Sequence, residues 1–251
     1  MNFRLQAPAG GIAILVVAIA ISLLTGCGHS KPAQVSVPPP PAPETSSEPA
    51  PTKKTVADMT EPAIPPDAKP ISTEIGRASW YGPPYHNRTG STGEIYNMHA
   101  MTAAHRTLPL GSIVRVTNLK TGHSALVRIT DRGPFIQGRI LDLSLAAARK
   151  VDVYLPGTAE VKVEVMQTPV PIETGGRWAV QIGAFAHERE ASKFAEHLTE
   201  KYRTAKVQHF GSPVGDWWVR VRVLDDDRGV ARKLAAETRT SEGAVFLVRL
   251  D

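Results

Sequence analysis

Hydrophobic and polar positions change rhythm several times along the chain. A largely apolar run covers Ile12 to Leu24, and the stretch that follows, to about Glu74, has no periodicity. Between Gly76 and Met166 apolar residues recur at every second position in short runs. Strands are predicted there at Ala78 to Tyr81, Ile113 to Thr117, Ser124 to Thr130, Arg139 to Leu141 and Ala159 to Val165, with a hairpin turn through Asn118 to His123. Only Ser144 to Lys150 has helical character, and a small β-barrel is the natural closure for such short strands. After Pro169 to Gly176 the rhythm changes again. Strand Trp178 to Phe185, helix Glu188 to Tyr202, strands Ala205 to Phe210 and Trp217 to Leu224, helix Arg228 to Thr240 and strand Ala244 to Leu250 make a βαββαβ order. In the first of these helices Ala191, Phe194, Ala195 and Leu198 form one apolar stripe for packing on a sheet.

The opening run is too short to span a bilayer, follows Arg4, and reads as the core of a secretory signal over residues 1–26. It ends in Leu24-Thr25-Gly26-Cys27, the pattern of a bacterial lipobox, which predicts cleavage before Cys27 and lipidation of that residue. The alternative is an inert thiol in a membrane segment. Cys27 is the only cysteine, so disulfides and cysteine-based metal sites or nucleophiles are excluded. Several acyl chains hold a protein durably at a membrane, so the mature chain is expected to be anchored, not spanning. Residues 27–75 hold the lipidated terminus and 12 of the 21 prolines between His29 and Glu74, which predicts a disordered, extended tether. At about 3.1 Å per residue such a tether reaches on the order of 100 Å. The expected domains are therefore a mainly β unit over 76–166, a linker over 167–176 and an α+β unit over 177–251.

Candidate chemistry clusters in the β unit. Asp131 ends a predicted strand whose parity groups it with Val127 and Ile129 on the apolar face, where a carboxyl is biased towards the protonated form that a general acid needs. It is equally explained as a cap of the Asp131-Arg132-Gly133-Pro134 turn. Glu94 lies in a glycine turn and reads either as a second carboxylate or as a solvated loop charge. His105 is either a hydrogen-bonding partner of the acid or a satisfied structural histidine. Tyr81, Tyr85 and Tyr96 offer faces on which a pyranose ring can stack, Trp80 reads as core, and Asp142 reads as a helix N-cap. No spacing suggests a metal site, and neither metal nor cofactor is expected.

The strings Gly76 to Gly82 (G-R-A-S-W-Y-G), Gly93 to Tyr96 (G-E-I-Y), Thr102 to Pro109 (T-A-A-H-R-T-L-P) and Asp131 to Phe135 (D-R-G-P-F) together resemble the double-psi β-barrel of the rare lipoprotein A family. Trp178 to Phe185 (W-A-V-Q-I-G-A-F) and Trp217 to Val221 (W-W-V-R-V) resemble the SPOR domain. The resemblance implies a six-stranded double-psi barrel followed by a βαββαβ SPOR domain. It also implies lytic transglycosylase activity on the bond between N-acetylmuramic acid and N-acetylglucosamine in peptidoglycan, with 1,6-anhydro ends and a preference for strands lacking stem peptides. The same resemblance favours catalytic roles for Asp131, Glu94 and His105, and glycan contacts for Tyr81, Tyr85, Tyr96, Gln181 and Trp217. The rival expectation is a non-catalytic, expansin-like glycan binder targeted by its SPOR domain.

Charge changes the picture only slightly. Residues 76–165 carry 11 Lys+Arg against 6 Asp+Glu, and residues 177–251 carry 13 against 11. The basic excess lies on the barrel and suits anionic envelope polymers; an exported chain is not expected to meet nucleic acid. The expected location is the outer membrane, facing the periplasm and enriched at the division septum, with division proteins as partners.

Overall fold

The computed structural model describes residues 60–202, 206–211, 216–240 and 244–251. The signal, the lipobox with Cys27 and most of the tether lie outside the described residues. None of the described helices is long and apolar enough to cross a membrane.

Six strands close a barrel in the order β1-β5-β2-β4-β3-β6: β1 (Ser72–Trp80), β2 (Thr102–His105), β3 (Ile113–Asn118), β4 (Ser124–Asp131), β5 (Arg139–Leu143) and β6 (Thr158–Gln167). The pairs β1–β5 and β2–β4 are parallel and the other pairings antiparallel, as befits a double-psi barrel. β1 opens at Ser72, ahead of Gly76, and pairs with β6 from Ser72↔Val165 onwards. Alternation builds the core: Val114 and Val116 of β3, Val127 and Ile129 of β4 and Val161 and Val163 of β6 are all but inaccessible. Asn118 ends β3, and its Oδ1 accepts from the amides of Lys120 and Thr121, which makes the predicted hairpin turn. A short helix, α1 (Leu145–Lys150), closes one end, with Ala147 and Ala148 against the core.

The second unit is a four-stranded sheet in the order β10-β7-β9-β8, from β7 (Trp178–Phe185), β8 (Lys206–Gly211), β9 (Trp217–Arg222) and β10 (Ala244–Arg249). Helices α2 (Glu188–Lys201) and α3 (Arg228–Glu237) cover one face, burying Ala191, Ala195, Leu198, Ala231 and Leu234 against Val180, Ile182, Val219 and Val221. Asp227 caps α3 by accepting from the amide of Val230 at 2.9 Å. The end of β10 reaches the barrel, where the amide of Arg249 donates to the carbonyl of Arg106 at 3.0 Å.

Candidate active site

Strand β2 is the axis of the site. It lies between β4 and β5, and its Ala104 is the register partner of both Asp131 and Asp142. Neighbouring strands run about 4.8 Å apart, so the two aspartates flank Ala104 with Cα atoms roughly 10 Å from each other. Register partners share a face of the sheet, so only the small methyl group of Ala104 stands between them. Gly133 borders the same space at φ 147°; a side chain there would meet the Cβ of Ala104 at 3.7 Å and Oδ2 of Asp142 at 3.8 Å.

Asp131 does not follow the parity of its strand. The β2–β4 register slips between Ala103 and Ala104, and β4 buries Ile129 and Thr130 in succession, leaving Asp131 half-buried. A bulge reverses the facing of every residue after it. Asp131 therefore leaves the apolar face on which alternation had put it. Its Oδ1 instead accepts from the amide of Ser91 at 3.0 Å, the hydroxyl of Ser91 at 2.5 Å and the amide of Arg132 at 2.8 Å. Those bonds tie the loop before Tyr96 to the end of β4, and the amide of Thr92 adds a bond to the carbonyl of Thr130.

Glu94 sits in that loop and lines one narrow pocket with Asp131, Thr130, Tyr96 and Arg128. Its carboxylate accepts from Arg128 Nη2 at 3.0 Å, so it is an ion-paired wall of the pocket and not a solvated loop charge.

Asp142 is the carboxyl group that sequence reasoning undervalued. It is not a helix cap: Ser144 caps α1, its Oγ accepting from the amide of Ala147 at 3.2 Å. Asp142 Oδ1 accepts from the hydroxyl of Ser79, its register neighbour on β1, and Arg139 Nη1 donates to the same Ser79 oxygen at 2.6 Å. Burial pushes the Asp142 carboxyl above the usual range, with the bond from Ser79 and the charges of Arg139 and Arg106 opposing and the charge of Asp131 reinforcing. Of the two aspartates flanking Ala104, this is the one in the environment of a proton donor.

His105 points away from them, since it follows Ala104 on the strand. Its Nδ1 accepts from the amides of Thr107 at 3.2 Å and Leu108 at 3.0 Å, and its Nε2 lies 3.2 Å from Oε2 of Glu74. A nitrogen that accepts two N–H groups holds a lone pair, so the ring proton is on Nε2 and is donated to Glu74. Burial pushes the imidazole below its ordinary value, against the pull of Glu74, while the bond from His105 lowers the Glu74 carboxyl. The pair is thus a neutral imidazole bonded to a carboxylate. The geometry matches the structural reading of His105.

Tyr81 and Tyr96 stack on one another with centroids 4.2 Å apart, and Tyr96 donates its hydroxyl to the carbonyl of Tyr81 at 2.8 Å. Burial raises both phenols, and the charge of Asp131 adds to it. Tyr85 meets the edge of Tyr81 at 5.8 Å and stays partly exposed, which leaves it as the most available stacking face. Trp80 packs on the barrel core and tilts against Tyr154. In the second unit Gln181 is 1% exposed and its Oε1 accepts from Arg220, while Trp217 packs against the helix-side core. Among the described residues no group of His, Cys, Asp and Glu is arranged to hold a metal ion.

A lytic transglycolase family model matches residues 73–163, and a SPOR domain model matches residues 174–249. Over the barrel the chain is therefore similar to lytic transglycolases, and over the second unit to SPOR domains. Among its relatives, the endolytic peptidoglycan transglycosylase RlpA of Vibrio cholerae is 44% identical over 133 residues, covering 50% of this chain and 51% of that protein. The protein of the same name from Neisseria meningitidis serogroup A is 47% identical over 130 residues, covering 51% and 54%. That from Pseudomonas aeruginosa is 56% identical over 90 residues, 36% of this chain and 26% of that one. The chain thus spans about half the length of the first of these relatives.

Proposed function

We propose that the chain is a peptidoglycan lytic transglycosylase that cleaves the bond between N-acetylmuramic acid and N-acetylglucosamine. The observation that carries this reading is Asp142: a carboxyl held towards its protonated form, across Ala104 from Asp131 and bonded to Ser79. The names of the relatives and the lytic transglycolase match over the barrel support the same reaction.

In the first step Asp142 gives its proton to the glycosidic oxygen and the bond from that oxygen to the muramyl C1 breaks. Asp131, Glu94 and the stacked tyrosines face the positive charge that develops on the sugar ring. The muramyl C6 hydroxyl then closes on C1 and returns its proton to Asp142, giving a 1,6-anhydro end. Water is not consumed, so one carboxyl that acts first as acid and then as base suffices, where hydrolysis needs a pair. Tyr85 is the face on which the sugar stacks, and Asp131 supports the site by holding the loop that carries Glu94.

The SPOR domain supports glycan strands lacking stem peptides as the substrate, and septal wall processing as the setting. The lipobox at Cys27 supports a lipid-anchored protein, in the outer membrane facing the periplasm, whose tether spans the distance to the wall. The reading is tested by incubating the protein with stem-peptide-free strands and analysing the products by mass spectrometry. Ends lighter by one water than hydrolysis products are expected, and Asp142→Asn should abolish them. Strand binding with intact glycan would instead establish the expansin-like binder.

A further inference from the structure

The turn that joins β4 to β5, Asp131 to Gly138, is held by two different parts of the molecule. On one side Ser91 bonds Asp131. On the other side is the second domain. Phe135 lies 5.3 Å from the ring of Trp218 and 5.9 Å from that of Phe246, tilted to both. Trp218 and Phe246 belong to β9 and β10, and their strand neighbours Trp217, Val219, Val245 and Leu247 face the helices. By alternation Trp218 and Phe246 occupy the sheet face that carries no helix. Each is nevertheless only 8% exposed, because the turn of the barrel packs over them.

Two arginines adjoining site residues tighten this contact. Arg106, next to His105, donates to the carbonyls of Pro134 at 3.0 Å and Arg139 at 2.5 Å, spanning the turn, and stacks 5.4 Å above Phe246. Arg132, next to Asp131, donates to the carbonyls of His105 and Leu108 and to the main-chain oxygen of Asp251. Burial lowers the Arg132 guanidinium to about 10, so it stays charged at neutral pH.

We propose that Phe135 is a positioning residue through which the SPOR sheet, by Trp218 and Phe246, holds the turn that carries Asp131 and borders Asp142. The C-terminal domain is then part of the catalytic machinery as well as a glycan-binding module. A barrel lacking that contact keeps its strands and loses the placement of the turn. This rests on the reaction proposed above for its kinetic consequence, and on the contact alone for its effect on the turn.

The test compares the full chain with Phe135→Ala, Phe135→Leu and Phe246→Ala. Amide hydrogen exchange of residues 131–139 should accelerate about tenfold in both alanine variants while β3 keeps its rate, because the turn opens locally. With stem-peptide-free glycan strands kcat should fall about tenfold at unchanged KM, since a small misplacement near the chemistry costs turnover before binding. Phe135→Leu, which keeps an apolar group on the sheet, should recover most of the loss. Exchange of the turn at the parental rate in both alanine variants would overturn the proposal, and so would faster exchange with parental kcat. An inactive parent would count against the reaction alone, because the exchange measurement needs no turnover and still decides whether the sheet holds the turn.

Discussion

His105→Ala removes the acceptor that the amides of Thr107 and Leu108 share at 3.2 and 3.0 Å. Leu108 is 6% exposed, so its amide finds no water when the imidazole goes, and a buried donor left unsatisfied costs about 1–3 kcal/mol. Thr107 is partly accessible and recovers some of its bond from solvent. With lost packing around the ring, the expected destabilisation is about 2–4 kcal/mol. A loss of that size lowers the melting temperature of a chain of this length by about 5–15 °C. Asparagine sets its Oδ1 close to the position of Nδ1, so His105→Asn should restore much of the stability and, with it, turnover. The pH dependence follows from the direction of the shift. The folded imidazole lies below its ordinary 6.5, so the stability it contributes is present above 6.5 and lost as pH falls below it; His105→Ala should lose that part of the acid sensitivity. Urea denaturation of the three proteins at neutral and mildly acidic pH, with turnover of glycan strands measured alongside, tests each of these outcomes. A His105→Asn protein as stable as the parent but without turnover would refute the reasoning, because the ring would then be used chemically.

Other outcomes follow from the same contacts. Gly82→Ala would bring a Cβ to 2.6 Å from Cζ3 of Trp80, and the forced shift of that ring should cost about 1–3 kcal/mol by thermal unfolding. Asp142→Asn should be at least as stable as the parent at neutral pH: the folded carboxyl lies above 3.8, so its contribution is present below 3.8 and lost as pH rises through the folded value. Denaturation midpoints that diverge in the opposite direction would contradict that sign. Ser91→Ala removes the hydroxyl bond to Asp131 and should cost about 1 kcal/mol while amide exchange accelerates in the loop around Glu94. Unchanged exchange there would show that Asp131 does not hold the loop.

The barrel and the SPOR fold were largely legible because their long strands and amphipathic helices repeat at fixed periods. The site was legible in its residues but not in their arrangement. β2 has four residues, all of them buried and two of them alanine, so it has no alternation to read, yet it is the strand that sets the two aspartates apart. The bulge at Thr130 arises from pairing with β2 and leaves no mark in the local pattern, which is why parity misjudged Asp131. Asp142 and Ser144 are both good caps two residues apart, and only the helix start distinguishes them. Its burying partner Ser79 is 63 residues away. Phe135 reads as a turn residue; nothing near it in the chain announces a sheet formed more than 40 residues later.

The reaction is tested most directly by letting the protein act on stem-peptide-free glycan strands in heavy-oxygen water, beside Asp142→Asn. Anhydro ends that contain no solvent oxygen are expected from the parent and not from the variant. Ends labelled with heavy oxygen, or unlabelled anhydro ends made equally well by Asp142→Asn, would contradict that reaction.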